Sequence, residues 1–323
     1  MYEKLLEVRD LSVYYFIEEI AVRAVDNITL NISENEIFGV CGESGCGKTT
    51  LANSILRLIK PPARIVNGQI LLNGVNLLEL KEREIDKIRW KVMSYIPQGS
   101  MNSLNPTVRI EDQIYEIIQI HEKKLSKLDR KRRIEELLAK VGLSAEVARM
   151  YPHELSGGMK QRVVIAMATA LNPKVIIADE PTTALDVVVQ RGIIDLLLEI
   201  KRTTEASMML ITHDMAAQAE IADKIAVMYA GKVVEISNVE SIFDEPLHPY
   251  TRALIQSIPS IRSKRKLLGL SGIPPDLRHP PSGCRFFTRC PLAIRGTCEV
   301  KEPEIIEFKG RLVACHLYGE GNE

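Results

Sequence analysis

An excess of charge of one sign, a long apolar run and a leader-like start are all missing from this chain of 323 residues, and each absence closes off a class. Lys+Arg and Asp+Glu balance at 42 each, so the chain lacks the global basic surplus with which nucleic-acid binders neutralise phosphates. No apolar run reaches the ~18 to 20 residues that span a bilayer. The start, MYEKLLEVRDLSVYY, alternates charged and apolar residues and has no basic stretch followed by an apolar one, which argues against a secretory signal. Together these absences lead us to expect a cytoplasmic protein with no nucleic-acid partner. No internal repeat is visible. With 46% hydrophobic and 26% charged residues the composition is globular, and the length suits about two domains.

The cysteines are few but uneven. Cys41 and Cys46 are expected to be packing thiols, because a free cysteine usually behaves as a small hydrophobe. The other four, Cys284, Cys290, Cys298 and Cys315, crowd into the tail. In a reducing compartment such a cluster points to a metal rather than to disulfides. The tail also has a thin apolar complement of its own, and a segment of that size usually needs a staple. Between successive cysteines lie five, seven and sixteen residues, without the C-x2-C pairs of zinc ribbons and unlike a ferredoxin run. The spacing leaves zinc and a cubane cluster both open, with His316 as a possible substitute ligand.

Along the chain, EIFGVCGESGCGKTTLANSILRLIKPP reads as a short strand over 37–41, a glycine-bearing loop, and a helix from Lys48 to a stop at Pro61-Pro62. Strands flank it in LLEVRDLSVYY, AVDNITLNI and GQILLNGVNL, the last with an Asn73-Gly74 turn, predicting an antiparallel β patch beside a parallel α/β core. KVIIAD and SMMLITHD are apolar runs short enough to be buried parallel strands. Carboxyl ends of such strands are where ligands bind, which places Asp179, Glu180 and His213 for chemistry. From about 107 to 171 the pattern is helical, with Ile134, Leu137, Leu138 and Val141 on one face and Gly142 as the stop. The basic run KKLSKLDRKRR just before reads as a solvated helix face. KIAVMYAGKVVEI predicts a hairpin, Pro249 opens a helix, and SGIPPDLRHPPSGC marks a linker.

Three motifs carry chemistry. Gly42-Glu43-Ser44-Gly45-Cys46-Gly47-Lys48-Thr49 fits G-x-x-x-x-G-K-[ST]: its backbone N–H groups face phosphate oxygens, Lys48 reaches the β/γ-phosphates, and the Thr49 hydroxyl meets Mg2+. VIIADE ends in two carboxylates, Asp179 for Mg2+ through water and Glu180 as general base toward the attacking water. LSGGMKQR offers Ser156, Gly157 and Gly158 at a helix start, a second anion site. Two such sites on one chain make sense if two chains face each other head to tail.

In these motifs and their order the sequence resembles the ATP-binding subunits of ABC transporters over about residues 4–236. The resemblance implies a P-loop NTPase core with an antiparallel β subdomain and an α-helical subdomain, and it makes the chain an ATPase. It also implies roles for Gln98 in SYIPQGS as the Q-loop glutamine, Asp186 closing the D-loop ALD, and His213 as the switch histidine. Thr49, Gln98 and Asp179 surround Mg2+; Glu43, Ser44, Gly45, Cys46 and Thr50 complete the nucleotide contacts. Tyr15 aligns with the adenine-stacking aromatic, with Tyr14 and Phe16 as alternates. Met159 departs from the usual Gln of the signature but leaves Ser156 and the glycine donors in place.

PQGSMNSLNP, ADEPTTALDVVVQ, EPLHPYTRALIQSIP and the cysteine tail narrow the resemblance to the oligopeptide/dipeptide importer branch. That branch implies a [4Fe-4S] cluster on Cys284, Cys290, Cys298 and Cys315, with zinc as the alternative, in a small metal-stapled C-terminal extension. The boundaries expected are 1–240 for the nucleotide-binding domain, with about 100–160 as its helical part, and 241–323 for the extension. The implied partners are a second ATPase subunit, identical or related, two membrane permease subunits and, indirectly, an extracytoplasmic solute-binding protein. The implied place is the cytoplasmic face of the membrane.

Overall fold

The computed structural model describes residues 4–99, 102–122, 125–258 and 270–319. Met1, Tyr2, Glu3, Ser100, Met101, Lys123, Lys124 and Pro259, which belong to stretches read above, lie outside them. The chain forms two compact units, one of residues 1–78 with 211–323 and one of 79–210.

The first unit opens with the long antiparallel strands β1 (Lys4–Ile17) and β2 (Ile20–Ser33), then β3 (Ile37–Cys41), α1 (Lys48–Ile55), β4 (Ala63–Leu72) and β5 (Val75–Asn76). Strands β2, β1, β4 and β5 lie side by side in that order as the expected antiparallel patch. The β4–β5 turn is made by Asn73 and Gly74, both left-handed at φ 49° and 78°. All five residues of β3 are buried, as a strand covered on both faces requires. Helix α1 is shorter than read. It ends at Ile55, and Arg57 turns left-handed at φ 53°, well before Pro61.

The second unit holds α2 (Glu82–Ile88), β6 (Met93–Ile96), α3 (Ile110–His121), α4 (Lys127–Lys140), α5 (Gly157–Thr169), β7 (Val175–Asp179), α6 (Val187–Thr204) and β8 (Ser207–Ile211). β6 and β7 pair in parallel. β7 and β8 are buried at every residue. Helix α3 buries Ile110, Gln113, Ile114, Ile117 and Ile118, and α4 buries Ile134, Leu137 and Leu138, the i, i+3, i+4 stripe of an amphipathic helix. The basic face of α4 is solvated: Lys131 and Arg132 pair with Glu135 and Glu136 on the helix's own surface.

The chain returns to the first unit with α7 (Met215–Ile221), β9 (Lys224–Tyr229), β10 (Lys232–Asn238), α8 (Val239–Asp244), α9 (Pro249–Gln256), β11 (Ile306–Phe308) and β12 (Arg311–Val313). β9 runs parallel to β3, and β9–β10 is the expected hairpin. The tail is not a separate body. β12 pairs antiparallel with β10, Arg23 N–H of β2 donates to Leu277 O of the linker at 3.0 Å, and Arg285 pairs with Asp26 of β2. The thin apolar complement of the tail is made up from outside. Phe286, 1% exposed, packs edge-on to Tyr229 and Tyr250, with ring centroids 5.2 and 5.4 Å away. Among the described residues no helix is long and apolar enough to cross a membrane.

Candidate active site

The phosphate loop leaves β3 at Gly42 and enters α1 at Lys48. Two glycines have no substitute. A Cβ on Gly42 would stand 2.0 Å from Met228 O, and one on Gly47, at φ 105°, 2.0 Å from Ala24 O. With glycine there the loop curls tightly enough to bury Lys48. Its ammonium donates to Gly42 O at 2.7 Å and Glu43 O at 3.1 Å, beside Cys46 Sγ at 3.7 Å. Burial raises the pKa of the Cys46 thiol, so the sulfur by the lysine stays neutral. Cys41 and Cys46 are both buried, the packing thiols expected. Gly47 caps α1 without a side-chain bond, leaving the first N–H groups of the helix to a ligand. Ser44 and Gly45 are exposed, and Thr49 is half-buried. Tyr15 Oη shares a 3.2 Å hydrogen bond with Thr50 Oγ1, which brings this aromatic, rather than Tyr14, to the loop. Tyr14 instead donates to Asp26 at 2.9 Å. His213 is exposed just before the N-cap of α7, which Asp214 makes by accepting from Ala216 and Ala217 N–H.

In the second unit Asp179 ends β7, fully buried, and Tyr95 of β6 donates to its Oδ2 at 3.3 Å. Burial and that carboxylate raise the Tyr95 pKa, and the Gln98 backbone N–H faces the same phenol oxygen. Gln98, itself exposed, thus follows directly on a contact with Asp179. Glu180 is left-handed at φ 50°, an uncommon conformation for a residue with a side chain. Thr183 Oγ1 donates to Glu180 Oε2 at 2.9 Å and fixes the carboxylate. Ser156 is the N-cap of α5, accepting from Met159 N–H at 3.3 Å. Gly157 and Gly158 form the first turn, where a Cβ on Gly158 would meet Val189 at 2.7 Å. Asp186 caps α6 through Val189 N–H at 3.0 Å.

Comparison with known proteins decides the family. The ABC transporter model matches residues 25–183, and the model for the C-terminal region of oligopeptide/dipeptide transporters matches 234–298. The dipeptide transport ATP-binding protein DppD of Caldanaerobacter subterraneus is 42% identical over 320 residues, 98% of each chain. The chain belongs to the ABC transporter ATP-binding family. This ABC ATPase is also 42% identical to the oligopeptide transport ATP-binding protein OppD of Bacillus subtilis, over 93% of its own length and 85% of that protein's. Among solved structures it is similar to the dimeric bacterial ABC transporter cassette MJ0796, with a TM-score of 0.66 and 29% identity over 72% of this chain and 98% of that one.

The metal-stapled extension expected of this ABC ATPase finds no support at ligating distance. Among the described residues no group of three or more His, Cys, Asp or Glu side chains is gathered closely enough to hold a metal ion. The four tail cysteines do share one neighbourhood. Cys284 N–H donates to Cys298 O at 2.8 Å, and Cys315 lies within electrostatic range of the other three. Burial pushes the Cys284 thiol up to about 11 and the Cys315 thiol up to about 12, which keeps both protonated. His316 turns to Lys301 O instead. What the motifs did not reveal is how the loop is held from behind: Glu43 is bound by Tyr250 and Arg289, residues far along the chain with no local signal to mark them.

Proposed function

We propose that this chain is the ATP-hydrolysing subunit of an importer for dipeptides or oligopeptides. Two such subunits, identical or related, close head to tail on MgATP against two membrane permease subunits, at the cytoplasmic face. The observation that carries the reading is one chain holding both the buried-lysine phosphate loop and a docked C-terminal region of the oligopeptide/dipeptide type. In this reading Lys48 and the loop N–H groups bind the phosphates, and Tyr15 stacks on adenine. Thr49, Gln98 and Asp179 would hold Mg2+, which when bound would neutralise charge on the phosphates. Glu180, aimed by Thr183, takes the proton of the attacking water, with His213 as the switch. Ser156, Gly157, Gly158 and Asp186 serve the nucleotide of the facing subunit. Glu180→Gln should lower turnover by ~10² to 10⁴ while MgATP still binds and the dimer accumulates. Wild-type turnover in the assembled transporter would remove Glu180 from the mechanism.

A second reading concerns the tail. We infer that Cys284, Cys290, Cys298 and Cys315 hold a [4Fe-4S] cluster, with zinc as the alternative. The support is donor chemistry. Each sulfur faces a backbone N–H: those of Phe286 and Phe287 at Cys284, Leu292 at Cys290, Ile294 at Cys298 (3.3 Å) and Leu317 at Cys315. Such N–H donors work against the burial that raises these thiols and would favour the thiolate form once a metal is bound. Among the described residues the four side chains are not gathered at ligating distance, so no step of hydrolysis is routed through the group. Anaerobic protein should carry about four irons and four sulfides per chain; protein free of metal would end this reading.

A further inference from the structure

Glu43 is the second residue of the phosphate loop, and the protein grips it at three points. Its carboxylate accepts two parallel bonds, from Arg289 Nη1 at 2.8 Å and Nη2 at 2.9 Å. Its N–H donates to Tyr250 Oη at 2.9 Å, and its carbonyl accepts from Lys48 Nζ at 3.1 Å. Arg289 comes from the short turn between Cys284 and Cys290, in the tail. Its side chain is 3% exposed, against 25% for Glu43, so the pair is shielded on the arginine side and not a loose surface contact. All three guanidinium nitrogens are engaged: Nε donates to Ser271 O at 2.9 Å, Nη1 also donates to Tyr229 Oη at 3.1 Å, and the group lies near the Tyr229 and Phe286 rings. A bidentate arginine on a planar carboxylate fixes orientation as well as position. The carbonyl on which Lys48 rests belongs to the residue that Arg289 orients.

We propose that Arg289 is a positioning residue for ATP binding: by holding Glu43 it sets the phosphate loop around Lys48, and the cysteine-rich tail thereby tunes the affinity for MgATP. This rests on the reading of the loop as the ATP site. Two effects have to be separated. Were Arg289 only a counter-charge, removing it would leave the Glu43 carboxylate to repel phosphate, whereas removing the Glu43 charge would favour phosphate. Under positioning, losing either partner loosens the loop.

The test is equilibrium binding of MgATP to the full chain, with thermal unfolding alongside. Arg289→Gln and Glu43→Gln should each weaken binding about tenfold, and the double variant should be no weaker than either single, because both remove one interaction. Tighter binding by Glu43→Gln, or a folded Arg289→Gln with wild-type affinity, overturns the proposal. If Arg289→Gln does not fold, the partly exposed, isosteric Glu43→Gln decides alone. Failure of the wild-type chain to bind MgATP, equalled by Lys48→Ala, would instead overturn the ATP reading.

Discussion

Two helices of this protein carry glycine where they open, α1 at its cap and α5 in its first turn, and they are prepared for different things. Helix α1 is capped by Gly47, left-handed at φ 105°, with no side chain on its first N–H groups and a buried lysine folded back onto the loop carbonyls. Helix α5 begins at Ser156, which is exposed and bonds its own Met159 N–H. The first start is shaped by close backbone contacts at Gly42 and Gly47, and its unit grips it from behind through Tyr250 and Arg289. The second satisfies itself and faces outward. A loop gripped from behind and open at Ser44 and Gly45 is built to bind a ligand within its own chain. An outward, self-capped start serves a molecule brought to it, which in the proposed head-to-tail pair is the nucleotide of the facing subunit.

The sharpest break of this comparison is Lys48→Ala. The buried ammonium is the only side-chain cation among the loop residues 42–49, and removing a preorganised donor of this kind costs on the order of 10² to 10³ in turnover. We expect single-chain MgATP binding to fall with it, read by fluorescence titration, while unfolding temperature stays near wild type. Ser156→Arg should do the converse. Its bulk and charge at the open start should abolish the ATP-dependent dimer in gel filtration and leave single-chain affinity within about twofold. Equal loss of single-chain affinity in both variants would erase the distinction.

Much of both starts was legible in the sequence, because loop chemistry and short apolar runs are local signals. The strand expected over 37–41 is β3 to the residue, and the Asn73-Gly74 turn and the α4 stripe stand where their patterns put them. What joins distant segments was not legible. Arg289 lies 246 positions from Glu43, and Tyr95 lies 84 from Asp179; no periodicity encodes either contact. The tail misled for the same reason. Counting its own apolar residues suggested a body needing a staple, whereas Phe286 enters an aromatic cluster supplied by β9 and α9. The left-handed Glu180 also had no sequence mark, since no glycine or asparagine stands there to signal it.

The grip behind the first start should also show in acid. Tyr250 N–H donates to His248 Nδ1 at 3.0 Å, so the ring must stay neutral there, and burial lowers its pKa from 6.5 to about 3. Unfolded chains take up that proton below about 6.5 while the folded chain does not. Stability contributed by neutral His248 is therefore full above that pH and is lost as pH falls, at up to ~1.4 kcal/mol per unit, until about 3. Urea unfolding at pH 7 and pH 5.5 should show this loss in wild type and a smaller one in His248→Asn, which can still cap α9. An identical slope in both would take His248 out of the acid response.

The smallest expected effect divides the two roles of Ser156. As an N-cap its hydroxyl stabilises α5, and Ser156→Ala should cost about 1 kcal/mol in urea unfolding. As a donor at an open anion site it faces phosphate. Aspartate caps a helix as well as serine does, and its charge suits a helix N-terminus, so Ser156→Asp should restore the lost stability. The same carboxylate would repel phosphate, so this variant should be folded, as stable as wild type and unable to form the ATP-dependent dimer. Stability and dimerisation moving together across Ala, Asp and Ser would mean that the serine only caps, and that the second start is not an anion site at all.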